Sequence, residues 1–291
     1  MATLAQYPFA SHWFEHRGIR MHYLDEGPRD SSAVVMCHGN PTWSYYYRTL
    51  IPALSQAYRV IVPDHVGCGR SDKPQTYPYT LEQHIQNLEA LLTHLDLQQI
   101  TLVLHDWGGG IGMGYATRHP EIVKRFVVFN TSAFYLPAVP WVLKLARTRV
   151  LGQFMIRGLN AFAGLAVWLG MAHPRRMTPE IRAGYLAPYD SWANRVAIYR
   201  FVRDIPVTDK HPTRATVDDI DRELARFREH PMLIIWGAKD WIFTVDAFLA
   251  GWRERFPQAE VHVLADAGHY VVEDAHERIV PLMRRFLEET A

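Results

Sequence analysis

A run of apolar residues, Ile100-Thr101-Leu102-Val103-Leu104, leads directly into His105-Asp106-Trp107 and then into glycines at 108, 109, 110, 112 and 114. The run reads as a buried strand. The glycines mark a segment that must turn and pack closely, so the junction is strand–turn–helix. The rest of the chain repeats this alternation. Strand-like runs lie at 12–16, 20–24, 33–37, 59–63, 125–130, 232–236 and 260–264, which with 100–104 makes about eight strands. The first two, joined by Arg17-Gly18, read as an antiparallel hairpin. The later ones alternate with helical stretches at 44–56, 80–95, 108–119, 245–256 and 274–289. Such alternation implies an α/β fold: an eight-stranded, mostly parallel sheet with helices on both faces.

Between Asn130 and about Arg214 the alternation stops. This stretch carries Phe134, Trp141, Trp168, Tyr185, Tyr189 and Trp192, broken by Gly and Pro, with no clear strand. Sheet-type sequence resumes at Pro231, which argues against a separate domain. The expectation is a core of residues 1–130 and 215–291 with an inserted helical cap, or lid, over 131–214. A cap at the C-terminal edge of a parallel sheet would cover the crevice where such sheets bind ligands.

Composition bounds the function. The 291 residues are 48% hydrophobic, enough for one large core plus a cap. A formal net charge of +1 argues against nucleic acid or any general polyanion as partner. Cys37 and Cys68 lie in apolar or turn sequence and read as buried free thiols in a reducing compartment. Residues 1–9 show no basic region followed by an apolar core, so no signal peptide is expected. The weakly polar stretch 158–172 is too short to span a bilayer. A cytoplasmic protein is the expectation. The histidines, His12 and His16 included, lack metal-ligand spacing. Gly67-Cys68-Gly69 has Asp72 where a dinucleotide fingerprint needs a third glycine. No metal and no cofactor is therefore expected.

The chemistry centres on Asp106. Its setting is that of a nucleophile elbow, in which a serine is common. A carboxylate there can attack an alkyl carbon and leave an alkyl ester. To stay ionised in a partly dry pocket it needs hydrogen-bond donors. The backbone N–H after the nucleophile is one; the loop His38-Gly39-Asn40-Pro41-Thr42-Trp43, directly after the strand at 33–37, offers another. The Trp107 indole and the Asn40 amide add side-chain donors for a developing anion. The base expected late in the chain is His269, in Asp266-Ala267-Gly268-His269-Tyr270. The orienting acid is Asp240, just past 232–236. The order nucleophile, acid, histidine suits this arrangement. Asp64, before Gly67 and Gly69, reads as a turn organiser, and His38 and His105 as residues that fix loops.

These residues together resemble the haloalkane dehalogenase superfamily of α/β-hydrolases, over nearly the full length. His38-Gly39-Asn40-Pro41-Thr42-Trp43 and His105-Asp106-Trp107-Gly108-Gly109 carry the resemblance. It implies that Asn40 and Trp107 hold the leaving anion. Some relatives place the acid after the strand that precedes the cap; here Asn130-Thr131 stands there, which favours Asp240 and resembles the third dehalogenase subfamily. Leu104 departs from the pattern, because an elbow often has a small residue there. Asn160-Ala161-Phe162, Trp168-Leu169-Gly170, Ala187-Pro188-Tyr189-Asp190, Asp204-Ile205-Pro206 and His269-Tyr270-Val271-Val272-Glu273-Asp274 are similar to the β-lactone decarboxylases of bacterial olefin biosynthesis.

The resemblance implies an enzyme that converts cis-3,4-dialkyl β-lactones to cis-alkenes and carbon dioxide. The same machinery in a haloalkane dehalogenase would release halide by hydrolysis of an alkyl-aspartyl ester. An epoxide hydrolase would need two cap tyrosines from among Tyr135, Tyr185, Tyr189 and Tyr199. A ligand-binding homologue without activity is the reading outside enzymology. In every case the expected partner is a small apolar molecule. The basic stretch Lys144, Arg147, Arg149 and Arg157 reads as a solvated helix face or as a surface for olefin-pathway enzymes. The apolar run 162–171 reads as cap core or as a patch for self-association, so a homo-oligomer stays open.

Overall fold

The strands of the computed structural model are β1 (His12–His16), β2 (Ile19–Glu26), β3 (Ala33–Cys37), β4 (Arg59–Pro63), β5 (Ile100–Asp106), β6 (Val123–Thr131), β7 (Met232–Gly237) and β8 (Glu260–Leu264). The structure describes residues 4–137 and 139–291; residues 1–3, at the start of the expected leader-free N-terminus and core segment, and residue 138, in the expected cap, lie outside the described residues. The strands form one eight-stranded sheet in the order β1-β2-β4-β3-β5-β6-β7-β8. β1 and β2 pair antiparallel, as do β2 and β4; all other neighbours are parallel. The hairpin turn falls on Arg17 (φ 53°) and Gly18 (φ 74°), both left-handed, the geometry that matches strand twist in a two-residue loop.

The central strands are apolar on both faces because both faces are covered. In β3, Val34 and Met36 enter one core while Val35 and Cys37 enter the other. Thr101 in β5 is buried, and its hydroxyl accepts from Arg125 Nε at 2.9 Å. From β3 the chain passes to β4 on one side and then to β5 on the other. The loops after β3 and β5 therefore diverge, and a crevice opens at this switch point. That single topological fact brings Asn40 and Asp106 together.

Two helical expectations change in detail. The stretch 44–56 breaks into a 3-10 turn, Ser44–Tyr47, and a short helix, Ile51–Leu54. All four residues of the turn are buried, so it has no solvent face to continue as an amphipathic helix, and Pro52 can only begin a new one. The final helix, Val271–Glu289, starts three residues early but is interrupted at Ala275 (φ −150°, ψ 24°). The helices Leu81–His94 and Trp107–Arg118 fall within a residue or two of expectation.

Among the described residues, 132–231 contain no strand. The helices include Trp141–Ala146, Ala161–Leu169, Pro179–Leu186, Val196–Asp204 and Pro212–Glu223. The last crosses the boundary expected at 214/215 and packs on Leu81–His94 and Trp107–Arg118. Three buried carboxylates tie this segment to the helices and loops around the sheet. Asp204 accepts from Leu81 N (2.7 Å) and Thr213 Oγ1 (2.6 Å). Glu273 pairs with Arg48 and accepts from Tyr185 Oη at 2.5 Å. Asp274 accepts from the N–H groups of Ala172 (2.8 Å), His173 (2.9 Å) and Gly268 (2.8 Å). Cys37 and Cys68 are buried free thiols, as their sequence context implies.

Candidate active site

Asp106 ends β5 with φ 51° and ψ −124°, a left-handed φ that costs a non-glycine residue about 1–3 kcal/mol. The surroundings hold it there. Thr131 Oγ1 donates to the Asp106 carbonyl. A Cβ on Gly39 would strike the Asp106 carboxylate, so only glycine lets the two loops approach. The anomaly at Leu104 also resolves: its Cδ2 occupies the space a side chain on Gly112 would take. A large residue fits the elbow because the facing helix supplies a glycine.

The Asp106 carboxylate is asymmetric. Oδ1 accepts from Asn40 N–H at 2.6 Å, and the Trp107 N–H also bonds the carboxylate. Oδ2 lies 3.7 Å from His269 Nε2, adjacent but not hydrogen-bonded. Burial pushes the Asp106 pKa above the ordinary carboxylate value; His269 and the two N–H groups pull against this without cancelling it.

His269 Nδ1 is bonded to Asp240 Oδ2 at 2.8 Å, and its ring stacks on Phe243 at 5.6 Å. Burial works against the imidazolium, but the charges of Asp240 and Asp106 outweigh it, so His269 titrates above an ordinary histidine. Asp240 is held in turn. Its Oδ1 accepts from Ile242 N (2.8 Å) and Phe243 N (3.0 Å), and its Oδ2 also accepts from Asn130 Nδ2 at 3.0 Å. Asn130 further donates to Gly237 O and accepts from Gly237 N. In the sequence Asn130 is only a position that cannot ionise. The structure makes it a donor to the acid across the β6–β7 edge.

The structure brings Asp106, His269, Asp240, Asn40 and Trp107 to one place. Asn40 Nδ2 sends one N–H to Ile198 O at 3.3 Å, and its Oδ1 has no partner. The loop-fixing roles read for the histidines are visible. His38 Nδ1 bonds Gly39 O (2.7 Å), its Nε2 accepts from His65 N (3.0 Å), and His105 Nε2 bonds His269 O (2.9 Å). Asp64 accepts from Ser44 N and Arg70 N and bonds His22, which is turn organisation. Tyr270 was legible only as part of a motif; it lines the cavity, and its buried hydroxyl has no partner.

Above these groups lies a cavity of about 480 Å³. Asn40, Asp106, Trp107 and His269 form its polar floor, and Phe162, Val202, Ile242 and Phe243 are among its apolar walls. Of the four tyrosines considered for an epoxide, Tyr135 lines this cavity. The other three bond elsewhere: Tyr185 to Glu273, Tyr189 to Thr42 O and Tyr199 to Thr148 O. A preformed tyrosine pair from that set is therefore absent. What remains is a carboxylate with one oxygen beside His269, a buried histidine–aspartate pair and an apolar chamber.

Comparison with known proteins bears on the same arrangement. A family model described as alpha/beta hydrolase fold matches residues 32–275. A protein of Shewanella oneidensis named cis-3-alkyl-4-alkyloxetan-2-one decarboxylase is 46% identical, covering 97% of this chain and 90% of its own. A protein of the same name from Xanthomonas campestris is 47% identical, covering 93% of each. Among solved structures, a haloalkane dehalogenase loop variant from Bradyrhizobium elkanii superposes with a TM-score of 0.86 at 26% identity, covering 97% of both chains. The chain thus belongs to the alpha/beta hydrolase family, within the haloalkane dehalogenase superfamily.

Proposed function

We propose that this protein is an enzyme that decarboxylates cis-3,4-dialkyl β-lactones to cis-alkenes and carbon dioxide. The near full-length likeness, at 46%, to a relative named for that activity carries the reading. The apolar chamber over the Asp106 carboxylate supports it. Asp106 Oδ2 attacks the ring carbon that bears the lactone oxygen. That C–O bond breaks, the configuration inverts, and an alkyl ester with a free carboxylate forms. Asn40 and Trp107 hold the new carboxylate, where a dehalogenase would hold halide. The carboxylate then leaves as carbon dioxide, its bonding pair forms the alkene, and the Asp106 carboxylate is expelled. No water is consumed. Inversion places the aspartyl oxygen anti to the departing carbon dioxide, so anti elimination from a cis ring gives a cis alkene. His269, oriented by Asp240, keeps a proton and positive charge beside Asp106 while its charge changes. In the hydrolytic alternative, a haloalkane dehalogenase, the same histidine activates water against the ester.

In this reading residues 131–214 are the cap over a core of 1–130 and 215–291, and the cap sets which apolar chains enter. We place the enzyme in the cytoplasm, among the enzymes of olefin biosynthesis. No helix among the described residues is long and apolar enough to cross a membrane. The deciding experiment offers a cis-dialkyl β-lactone and a bromoalkane to the purified protein and measures alkene and halide. Alkene formation is expected; halide release with no alkene would overturn the decarboxylase in favour of the dehalogenase.

A further inference from the structure

The cavity opens on a surface that this chemistry does not use. Leu145, Leu151, Met155, Leu165, Leu169 and Trp241 line the cavity, yet each is 39–56% exposed, so they form its mouth. Farther out, Trp141 is 73% exposed, Val150 83% and Phe154 54%. The two sets adjoin along the chain: Trp141 stands four residues before Leu145 on one helix, and Val150 and Phe154 directly precede Leu151 and Met155. The short helices that carry them pack on one another from Trp141 to Leu169. Trp241 closes the ring, its indole N–H donating to Leu169 O at 3.1 Å. An apolar patch of this kind marks an interaction surface.

Charge decides what the patch fits. Between residues 141 and 182 the only carboxylate is Glu180, against Lys144, Arg147, Arg149, Arg157, Arg175, Arg176 and Arg182, of which Arg176 is paired with Glu277 of the final helix. Lys144, Arg149 and Arg182 are exposed, and the Arg182 guanidinium lies 5.9 Å from the Trp168 ring. A second copy docked two-fold on this face would set these cations against their own images with almost no carboxylate to answer them. An anionic bilayer answers both features, its headgroups meeting the cations and its acyl boundary taking the tryptophans and leucines.

We infer that this face docks the protein peripherally on anionic lipid membrane, with the cavity mouth turned toward the acyl chains. An apolar molecule dissolved in the bilayer then enters the chamber without crossing water. The surface stands independently of the lactone reading, which supplies only the cargo.

Sedimentation of the full chain with phosphatidylcholine vesicles, with and without phosphatidylglycerol, tests this. Binding is expected on the anionic vesicles, weak on the neutral ones, and reduced by high salt. The double variant Lys144→Glu/Arg149→Glu should bind about tenfold more weakly. Trp141→Ala/Phe154→Ala should also lose affinity, with both variants keeping the wild-type melting temperature. Asp106→Ala should bind like wild type, which separates docking from catalysis. Failure to bind either vesicle, or binding indifferent to the charge reversal, overturns the inference. So does a stable dimer in light scattering that Trp141→Asp converts to monomer, because a second copy then covers the patch.

Discussion

The floor and the mouth of the cavity are built by opposite rules. At the floor every charged group is held from more than one direction: Asp106 by the Asn40 and Trp107 N–H groups, Asp240 by Asn130, Ile242 N and Phe243 N, His269 by Asp240 and through its carbonyl by His105. At the mouth the side chains are apolar, half exposed and spaced along short helices. Strand ends in a parallel sheet have fixed register, so they can hold reacting groups to the tolerance that chemistry needs. Inserted helices are free to vary without disturbing that register. The floor should therefore set rate and the helices above it affinity.

Removing Asp106, the nucleophile of the proposed reaction, breaks the comparison most severely if it is wrong. Asp106→Ala should lower kcat for alkene formation by at least about 10⁴-fold, the scale on which loss of a covalent nucleophile acts. Residual alkene near the wild-type rate would mean that the chamber alone does the work. Next is Asp240→Asn, with an expected kcat loss of up to about 10⁴-fold. This variant also carries a pH signature. The Asp240 charge opposes the burial that would otherwise lower His269, so its removal must lower the His269 pKa. The basic limb of the kcat/KM profile should move to lower pH. The acid limb reports Asp106, which must be ionised to attack. Its pKa is raised by burial, so activity should fall, as pH drops, at a higher pH than an ordinary aspartate would give. A profile unchanged in Asp240→Asn would remove Asp240 from its assigned position.

Asn130 sharpens the same contrast at smaller scale. Asn130→Leu leaves Asp240 Oδ2 without one of its two side-chain partners. A loss of about tenfold to a hundredfold in kcat is expected, with KM little changed and a shifted pH profile, as for other groups that orient a catalytic residue. A pure stability defect would instead lower the melting temperature and leave the kinetics of the folded fraction intact.

How much of this was readable beforehand depends on the kind of signal each residue carries. Apolar runs announce strands, so β3, β4 and β8 match their expected limits to the residue. Asp106, Asp240 and His269 were legible because each directly follows such a run, on a glycine-bearing turn. Asn130 was not, because an amide ending a strand breaks no periodicity and its role exists only through β6–β7 pairing. The stretch 44–56 departs from a single helix because Tyr45, Tyr46 and Tyr47 are all buried, and no one helical face can bury three consecutive side chains. Asp274 was invisible for a similar reason: its three N–H partners come from residues 172, 173 and 268, which only the folded chain brings near.

Above the floor the expected effects shrink and change character. Phe162 lines the cavity from the helix Ala161–Leu169, not from the strand ends that carry Asp106, Asp240 and His269. Phe162→Ala should raise KM about tenfold, as lost apolar contact does, and leave kcat within about twofold. A fall in kcat at constant KM would show that this helix shapes the transition state, and the division between floor and mouth would fail.

The last effect falls on stability alone and lies at the joint between the two regions. Asp204 ends a helix of the inserted segment and accepts from Leu81 N at the start of a core helix. Burial raises its pKa from 3.8 to about 6, against the pull of the Thr213 hydroxyl and the Leu81 N–H. The folded state therefore binds the Asp204 proton more tightly than the unfolded chain does. That contribution is fully present below about pH 4 and is lost as pH rises through about 6, a change of up to about 3 kcal/mol. Asp204→Asn keeps an acceptor for Leu81 or Thr213 and removes the titration. Urea unfolding at a series of pH values should show wild-type stability falling relative to the variant between pH 4 and 6. A difference that stays constant across that window would mean that Asp204 does not take up a proton on folding, and the joint would then be held by a charged carboxylate throughout.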